Sequence, residues 1–313
     1  KNGIVQTISG EYYDVNDLTV TAGLAKGSAF AKALSHTNAS AYMWDDQESA
    51  RNLGYEKPEG ELVILPLFDG DQVSMKLAYK FDIYATQPIS RGNLYIDAQH
   101  GQALFFDAII KHADNFGHVG EVPAYTMTEA EACAFEDKAF AAGTAATRYS
   151  CTRTIETRQI NGSWTLRDNT RGNGVNTYNS GGQASYPSTN FTDGNNSWTE
   201  YDNAAKDNAA LDGHWGAEVT YDYWMNIHNR NSFNGSGAAI NSYIHYDDVP
   251  GGLGYDNAFW NGSVMTYGDG SSNGAEGNGY FDALTSLDVA AHEIGHAVTT
   301  FTANLAYQRE SGG

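Results

Sequence analysis

Cysteine is scarce in this chain of 313 residues, which holds only Cys133 and Cys151. Two thiols cannot make a zinc site alone and are too few for a disulfide scaffold, so they either form one bridge or stand as separate thiols. Charge is also sparse, at 18% of residues, and cations are scarcer still, with 18 Lys and Arg against 38 Asp and Glu. The resulting formal charge of −20 repels phosphate backbones and anionic headgroups, which disfavours nucleic-acid and membrane-surface partners. No apolar run approaches the roughly 18 residues that a spanning helix needs. The start, Lys1–Thr7, lacks the apolar core of a signal peptide, so an exported protein would be met here with its signal already removed.

What is present is enough to fold. Apolar residues reach 41% and aromatics 12%, with 34 Gly and 20 Tyr, the composition of a loop-rich protein with sizeable cores. The length suits about two domains. The surplus carboxylates suit a secreted protein and hard cations such as calcium.

Residues 1–113 read as a small α+β unit. Ile4–Ile8 and Leu62–Phe68 are β-rich, and Pro66 inside the second favours an edge strand or a bend. Leu24–Leu34 has helical spacing. Val73, Met75, Leu77, Tyr79, Phe81 and Ile83 alternate along one face of a half-buried strand. Leu94–Ala98 and Ala103–Phe106 flank His100-Gly101 as a hairpin. Residues 114–142 form a junction, polar and Gly-rich at first and then Ala- and Glu-rich with helical character over Thr128–Ala142. From 143 onward short β segments, Thr152–Ile160 and Trp164–Arg167, precede a helix expected from about Asp202 to Asn226. Asn229–Gly237 and Gly251–Tyr255 read as loops.

The chemistry concentrates in Ser286–Tyr307. Thr285 and Ser286 are good N-cap residues, Asp288 falls in the first turn, and Leu287, Ala290, Ala291, Ile294, Ala297 and Val298 supply helical packing. On that helix lies His292-Glu293-Ile294-Gly295-His296, an HExxH motif. Histidines four residues apart project from one face, one turn above the other, so both imidazoles can reach one zinc. Glu293, beside the first ligand, leans toward the open coordination position, where it can take a proton from water and pass it on. His36, His100, His112, His118, His214, His228 and His245 have no ligand spacing and read as structural or surface residues.

Around that motif the sequence resembles the thermolysin-like family of zinc endopeptidases. The resemblance is carried by Asp168–Gly174, Asp212–Trp215, Val219–Tyr223, Asn257–Gly262, Met265–Gly270, Asp288–Glu293 and Tyr307–Gly312, in order from about residue 143 onward. Upstream, Val73–Tyr84, Tyr95–Ala98 and Gly101 resemble the propeptide of the same family, a PepSY-type unit. The resemblance implies an α+β architecture: a PepSY-like propeptide over 1–113, a maturation junction over 114–142, and over 143–313 the β-rich N-terminal lobe of the protease, ending in the HExxH helix. It implies a secreted zymogen whose propeptide aids folding and inhibits, and whose peptide or protein substrates are hydrolysed by zinc-activated water.

Individual roles follow from the same resemblance. His292 and His296 would bind zinc, Glu293 would be the general base, and Tyr307 would assist the oxyanion. Asn257 by its side chain and Ala258 by its backbone would hold the substrate extended. Val289, with Tyr280 or Phe281, would line the pocket after the scissile bond. Asp288 matches a family calcium ligand, and Asp193, with Asn195 and Ser197, falls where some members hold a second calcium. A bridge between Cys133 and Cys151 would span the maturation region. The pattern with a third histidine fails, since Thr299 and Thr302 occupy its key positions. The thermolysin-like pattern instead places a glutamate at position 316, past Gly313. The chain is therefore expected to be part of a longer precursor, partnered by its own C-terminal lobe. Alone it would bind zinc weakly and cleave nothing. The competing expectation is a non-catalytic binding or inhibitory module.

Overall fold

A computed structural model describes residues 15, 18–69, 72–110, 143–272 and 281–303. In chain order these form α1 (Lys26–Thr37), β1 (Ala41–Tyr42), α2 (Gln47–Leu53), β2 (Glu61–Asp69), β3 (Gln72–Gln87), β4 (Ile89–Asp97), β5 (Ala103–Ala108), β6 (Gly143–Ala146), β7 (Thr152–Ile155) and β8 (Arg158–Ile160). There follow β9 (Ser163–Thr165), β10 (Arg167–Asp168), β11 (Val175–Gln183), β12 (Thr192–Asp193), β13 (Ser197–Trp198), α3 (Asn208–His228), β14 (Ile240–Tyr246), β15 (Ala258–Trp260), β16 (Met265–Gly268) and α4 (Leu287–Thr302). The architecture is mixed α+β and rich in strand. Among the described residues no helix is long and apolar enough to cross a membrane.

The chain divides into two compact units: Lys1–Asn38, Pro58–Asp82 and Asn93–Phe106 make one, and Ala39–Lys57, Ile83–Gly92 and Asp107–Gly313 the other. In the first, β2 and β3 pair antiparallel from Glu61↔Lys80 to Asp69↔Gln72. The alternation along β3 puts Leu77, Tyr79 and Phe81 in the core. Phe81 meets Phe30 of α1 with ring centroids 5.3 Å apart, and the Tyr79 hydroxyl donates to the Leu24 carbonyl at 3.1 Å.

The second unit is built on a mixed five-stranded sheet in the order β10-β11-β14-β16-β15. The pairs β11–β14 and β14–β16 are parallel, and β15 returns antiparallel to β16 as the edge strand. Every residue of β15 and β16 is buried. Residues of these strands divide between two apolar clusters. Ile240, Ile244, Ala258, Trp260, Met265 and Tyr267 join Trp215 of α3 and Ala290, Ile294 and Ala297 of α4. Tyr243, Tyr246, Phe259 and Val264 join Met43, Leu53, Tyr55, Tyr84, Ile89 and Tyr186. A sheet buried on both faces reads as a nearly continuous apolar run rather than a clean alternation. Gly216 lets the two helices close up, for a Cβ there would lie 2.9 Å from that of Ala290.

The long helix begins at Asn208 rather than near Asp202. Side chains explain the delay: Asn203 Oδ1 accepts from the Ala205 and Asp207 amides at 3.0 and 3.3 Å, and Lys206 takes a left-handed φ of 59°. Such local bonds offer the backbone an alternative to the helix. Ile4–Ile8 and Thr128–Ala142 lie outside the described residues.

Candidate active site

Helix α4 carries the motif. Ser286 precedes its first turn, but its hydroxyl donates to Asp288 Oδ1 at 2.5 Å instead of capping a backbone amide. One turn apart on α4, His292 and His296 bring their Nε2 atoms to 3.0 Å, with perpendicular rings 4.6 Å between centroids. Nitrogens sharing one tetrahedral zinc at about 2.0 Å stand roughly 3.3 Å apart, so the pair matches one ion in donor type and in reach. Among the described residues no third His, Cys, Asp or Glu completes a metal-binding group with them.

Glu293, between the two in sequence, is 4% exposed, and its Oε2 accepts from the Trp260 amide at 2.8 Å. Burial pushes its carboxyl up to about 7, against the opposing pull of that amide. The edge strand β15 and the helix are thus joined through the motif's own carboxylate.

A cavity of about 820 Å³ opens here, and Asn257, Ala258, Asp288, Val289, His292 and Glu293 all line it. Asn257 Oδ1 is engaged by the neighbouring Ala258 amide at 2.9 Å. Phe281, Ala283 and Leu284 extend the apolar wall beside Val289. Asp193 does not line it. Asp193 sits on β12, buried, with Oδ1 accepting from the Asn195 and Ser197 amides at 2.9 and 3.2 Å. Burial would raise its carboxyl, but hydrogen bonds from Glu200 and the loop amides hold it below the usual carboxylate range. Tyr307, Tyr280 and Cys133 lie outside the described residues, and Cys151 is disulfide-bonded.

Tyr149, Asp256 and Asp282 also line the cavity, though no sequence pattern marked them. The Tyr149 hydroxyl donates to the Ala283 carbonyl at 2.7 Å, and burial pushes it up to about 12. The backbone at Arg148 and Tyr149 is held by Asp212, fully buried, which accepts from both amides. Asp282 pairs with Arg148 and, at 3.0 Å, with Lys206. These partners outweigh burial and keep its carboxyl low. Asp256 Oδ1 accepts from the amides of Ser271 and Phe281 at 2.6 and 3.3 Å. These contacts link positions remote in sequence, so only the folded chain brings them into view.

Residues 142–300 match the model of the thermolysin metallopeptidase catalytic domain. Bacillolysin of Brevibacillus brevis is 46% identical over 161 residues, 51% of this chain and 27% of that protein. Bacillolysin of Bacillus caldolyticus is 35% identical over 279 residues, 87% of this chain and 46% of that protein. The transglutaminase-activating metalloprotease of Streptomyces mobaraensis is 37% identical over 212 residues, 67% of this chain and 26% of that protein. The chain thus spans a quarter to a half of the length of these relatives. Half of it matches the catalytic-domain model, and the matched half holds the paired histidines, the buried glutamate and the cavity that His292 and Glu293 line: this chain belongs to the thermolysin metallopeptidase family.

Proposed function

We propose that the chain is part of the precursor of a secreted, zinc-dependent endopeptidase. The observation that carries this reading is the convergence of His292 and His296 Nε2 to 3.0 Å beside the buried Glu293, on one side of a cavity large enough for a peptide segment. Zinc held by the two imidazoles would supply a Lewis acid beside which water becomes a nucleophile near neutral pH. Glu293, with one oxygen on the Trp260 amide, would take the proton from that water and return it to the leaving amine. The edge strand β15 offers a peptide main chain a place to lie extended along Asn257 and Ala258. Val289, Phe281 and Leu284 would receive an apolar side chain. Tyr307 would donate to the developing oxyanion.

The rest of the reading is carried by the family resemblance. A PepSY-like N-terminal part would aid folding and restrain activity before maturation. Asp288 would hold calcium, with Asp193 at a second site, and Cys133 with Cys151 would tether the junction. Among the described residues a metal would have only the two imidazoles as ligands, which favours one further reading, a binding or inhibitory module without turnover. Zinc stoichiometry and hydrolysis of a quenched peptide by the chain assembled with its C-terminal lobe, and by the Glu293→Gln variant of that assembly, separate these. The peptidase reading expects one zinc per chain in both proteins and a rate lower by about 10²–10⁴ in the variant. Zinc without turnover in either protein selects the binding module, and no zinc in either overturns both.

A further inference from the structure

One wall of the cavity has no regular structure of its own. Phe281, Asp282, Ala283 and Leu284 all line it, just ahead of α4. Such a stretch keeps its shape only through partners for its backbone groups. Toward β16 these are other backbone groups: the Leu284 amide donates to the Gly268 carbonyl at 3.0 Å, and the Phe281 carbonyl accepts from the Ser272 amide at 2.8 Å. Gly270, with φ 68°, permits the approach, since a Cβ there would collide with the Phe281 and Asp282 carbonyl oxygens.

Arg148 and Tyr149 hold the same wall by their side chains. Ala283 is 4% exposed, and its carbonyl accepts from the Tyr149 hydroxyl at 2.7 Å. Arg148 grips Asp282 Oδ2 through Nη2 and, at 3.0 Å, through Nε, while Lys206 meets Oδ1 at 3.0 Å. The two residues ride on a closed turn. The Thr147 hydroxyl and amide donate to the Cys151 carbonyl at 2.6 and 3.1 Å, and the Ser150 amide donates to that hydroxyl at 2.9 Å. Asp212, fully buried on α3, accepts from the amides of both Arg148 and Tyr149. A turn closed on itself and seated on a helix is a rigid base for side chains that reach the wall. All of these residues lie within the stretch that matches the catalytic domain.

We propose that Arg148 and Tyr149 are positioning residues for the apolar subsite: seated on Asp212, they hold the Phe281–Leu284 wall beside Val289 in the form that accepts a bulky apolar side chain. The use of the subsite rests on the function proposed above, whereas the clamp itself does not. Without the hydroxyl the buried Ala283 carbonyl loses its donor, and the wall, not the central strands, should loosen.

The test is peptide-resolved amide hydrogen exchange on the full chain, metal-free, comparing Tyr149→Phe, Arg148→Met and Arg148→Lys with the parent. Exchange over 281–286, which includes the Leu284 amide, should rise about tenfold in Arg148→Met and a few-fold in Tyr149→Phe, with β14 at parental rates. Arg148→Lys, a cation without the guanidinium fork, should recover part of the protection. Unchanged exchange over 281–286, or an equal rise in β14, overturns the proposal. Should Arg148→Met fail to fold, Tyr149→Phe, which deletes one hydroxyl, carries the same comparison. In the chain assembled with its C-terminal lobe, the kcat/KM preference for leucine over alanine after the scissile bond should fall about fivefold in Tyr149→Phe. An equal loss toward both peptides also overturns the proposal. If the parent assembly cleaves neither peptide, the peptidase reading fails and with it the subsite, whereas exchange still decides the clamp.

Discussion

The molecule uses histidine in two opposite ways. His292 and His296 turn ring nitrogens toward each other, and His292 lines a cavity. His245 and His214 are buried with both nitrogens engaged. His245 lies between Asp269, 2.7 Å from Nδ1, and Asp207, 3.1 Å from Nε2. Burial would lower its pKa, but the two carboxylates outweigh it and raise it to about 9, so it is a fixed cation. His214 Nε2 faces the Glu156 carbonyl at 2.9 Å and so carries the hydrogen, while Nδ1 accepts from the Thr177 hydroxyl at 2.9 Å. Burial lowers its pKa to about 4, so this ring is neutral. A histidine held from both sides by partners of other elements serves the fold, whereas His292 and His296 converge on each other from one helix face.

The largest expected effect separates the two classes by zinc. His292→Ala should weaken zinc binding at least about 100-fold in a chelator competition. Because His292 is exposed, the metal-free unfolding free energy should stay within about 0.5 kcal/mol of the parent. His245→Gln should do the reverse, costing about 2 kcal/mol in urea titrations through the lost charged hydrogen bonds and leaving zinc affinity unchanged. A large loss of zinc affinity in His245→Gln would break the division.

Smaller effects should appear as opposite pH arms. The contribution of His245 is complete below its unfolded pKa of about 6.5 and is lost as pH rises through about 9, because the folded state holds the proton longer. His214 behaves inversely. Its contribution is present above about 6.5 and declines as pH falls toward about 4, because the unfolded chain takes up the proton first. Unfolding curves across pH should therefore lose their alkaline decline between these values in His245→Gln. In His214→Gln they should lose part of the acid decline, the smallest change of the series.

Much of the local structure was legible in the residues. Period-two apolar spacing marked β3, the Ala-rich spacing marked α1, and the cap residues with apolar spacing marked α4. HExxH spacing brought His292 and His296 together because a helix places such pairs on one face. The central strand β14 was not legible, since a strand buried on both faces has no alternation to read. Short α2 was missed for lack of periods. Arg91 and Asn261 meet across 170 positions, and no local pattern encodes such a pair. The cavity wall was half legible: Asn257, Ala258 and Val289 came with the family blocks, whereas Tyr149 and Asp282 reach it through partners elsewhere in the chain.

The hairpin at the edge of the sheet has a consequence for how chains of this kind can vary in length. Ala258 and Trp260 point to the helical cluster and Phe259 to the aromatic one, and Met265 and Val264 divide the same way across the turn. One inserted or deleted residue in β15 would exchange these faces, turning Phe259 toward Glu293 and Trp260 toward Tyr84. Gly251–Leu253, exposed and upstream of the strand, can absorb such changes. Between Ala258 and Gly268 the count of residues is itself fixed by packing on both faces.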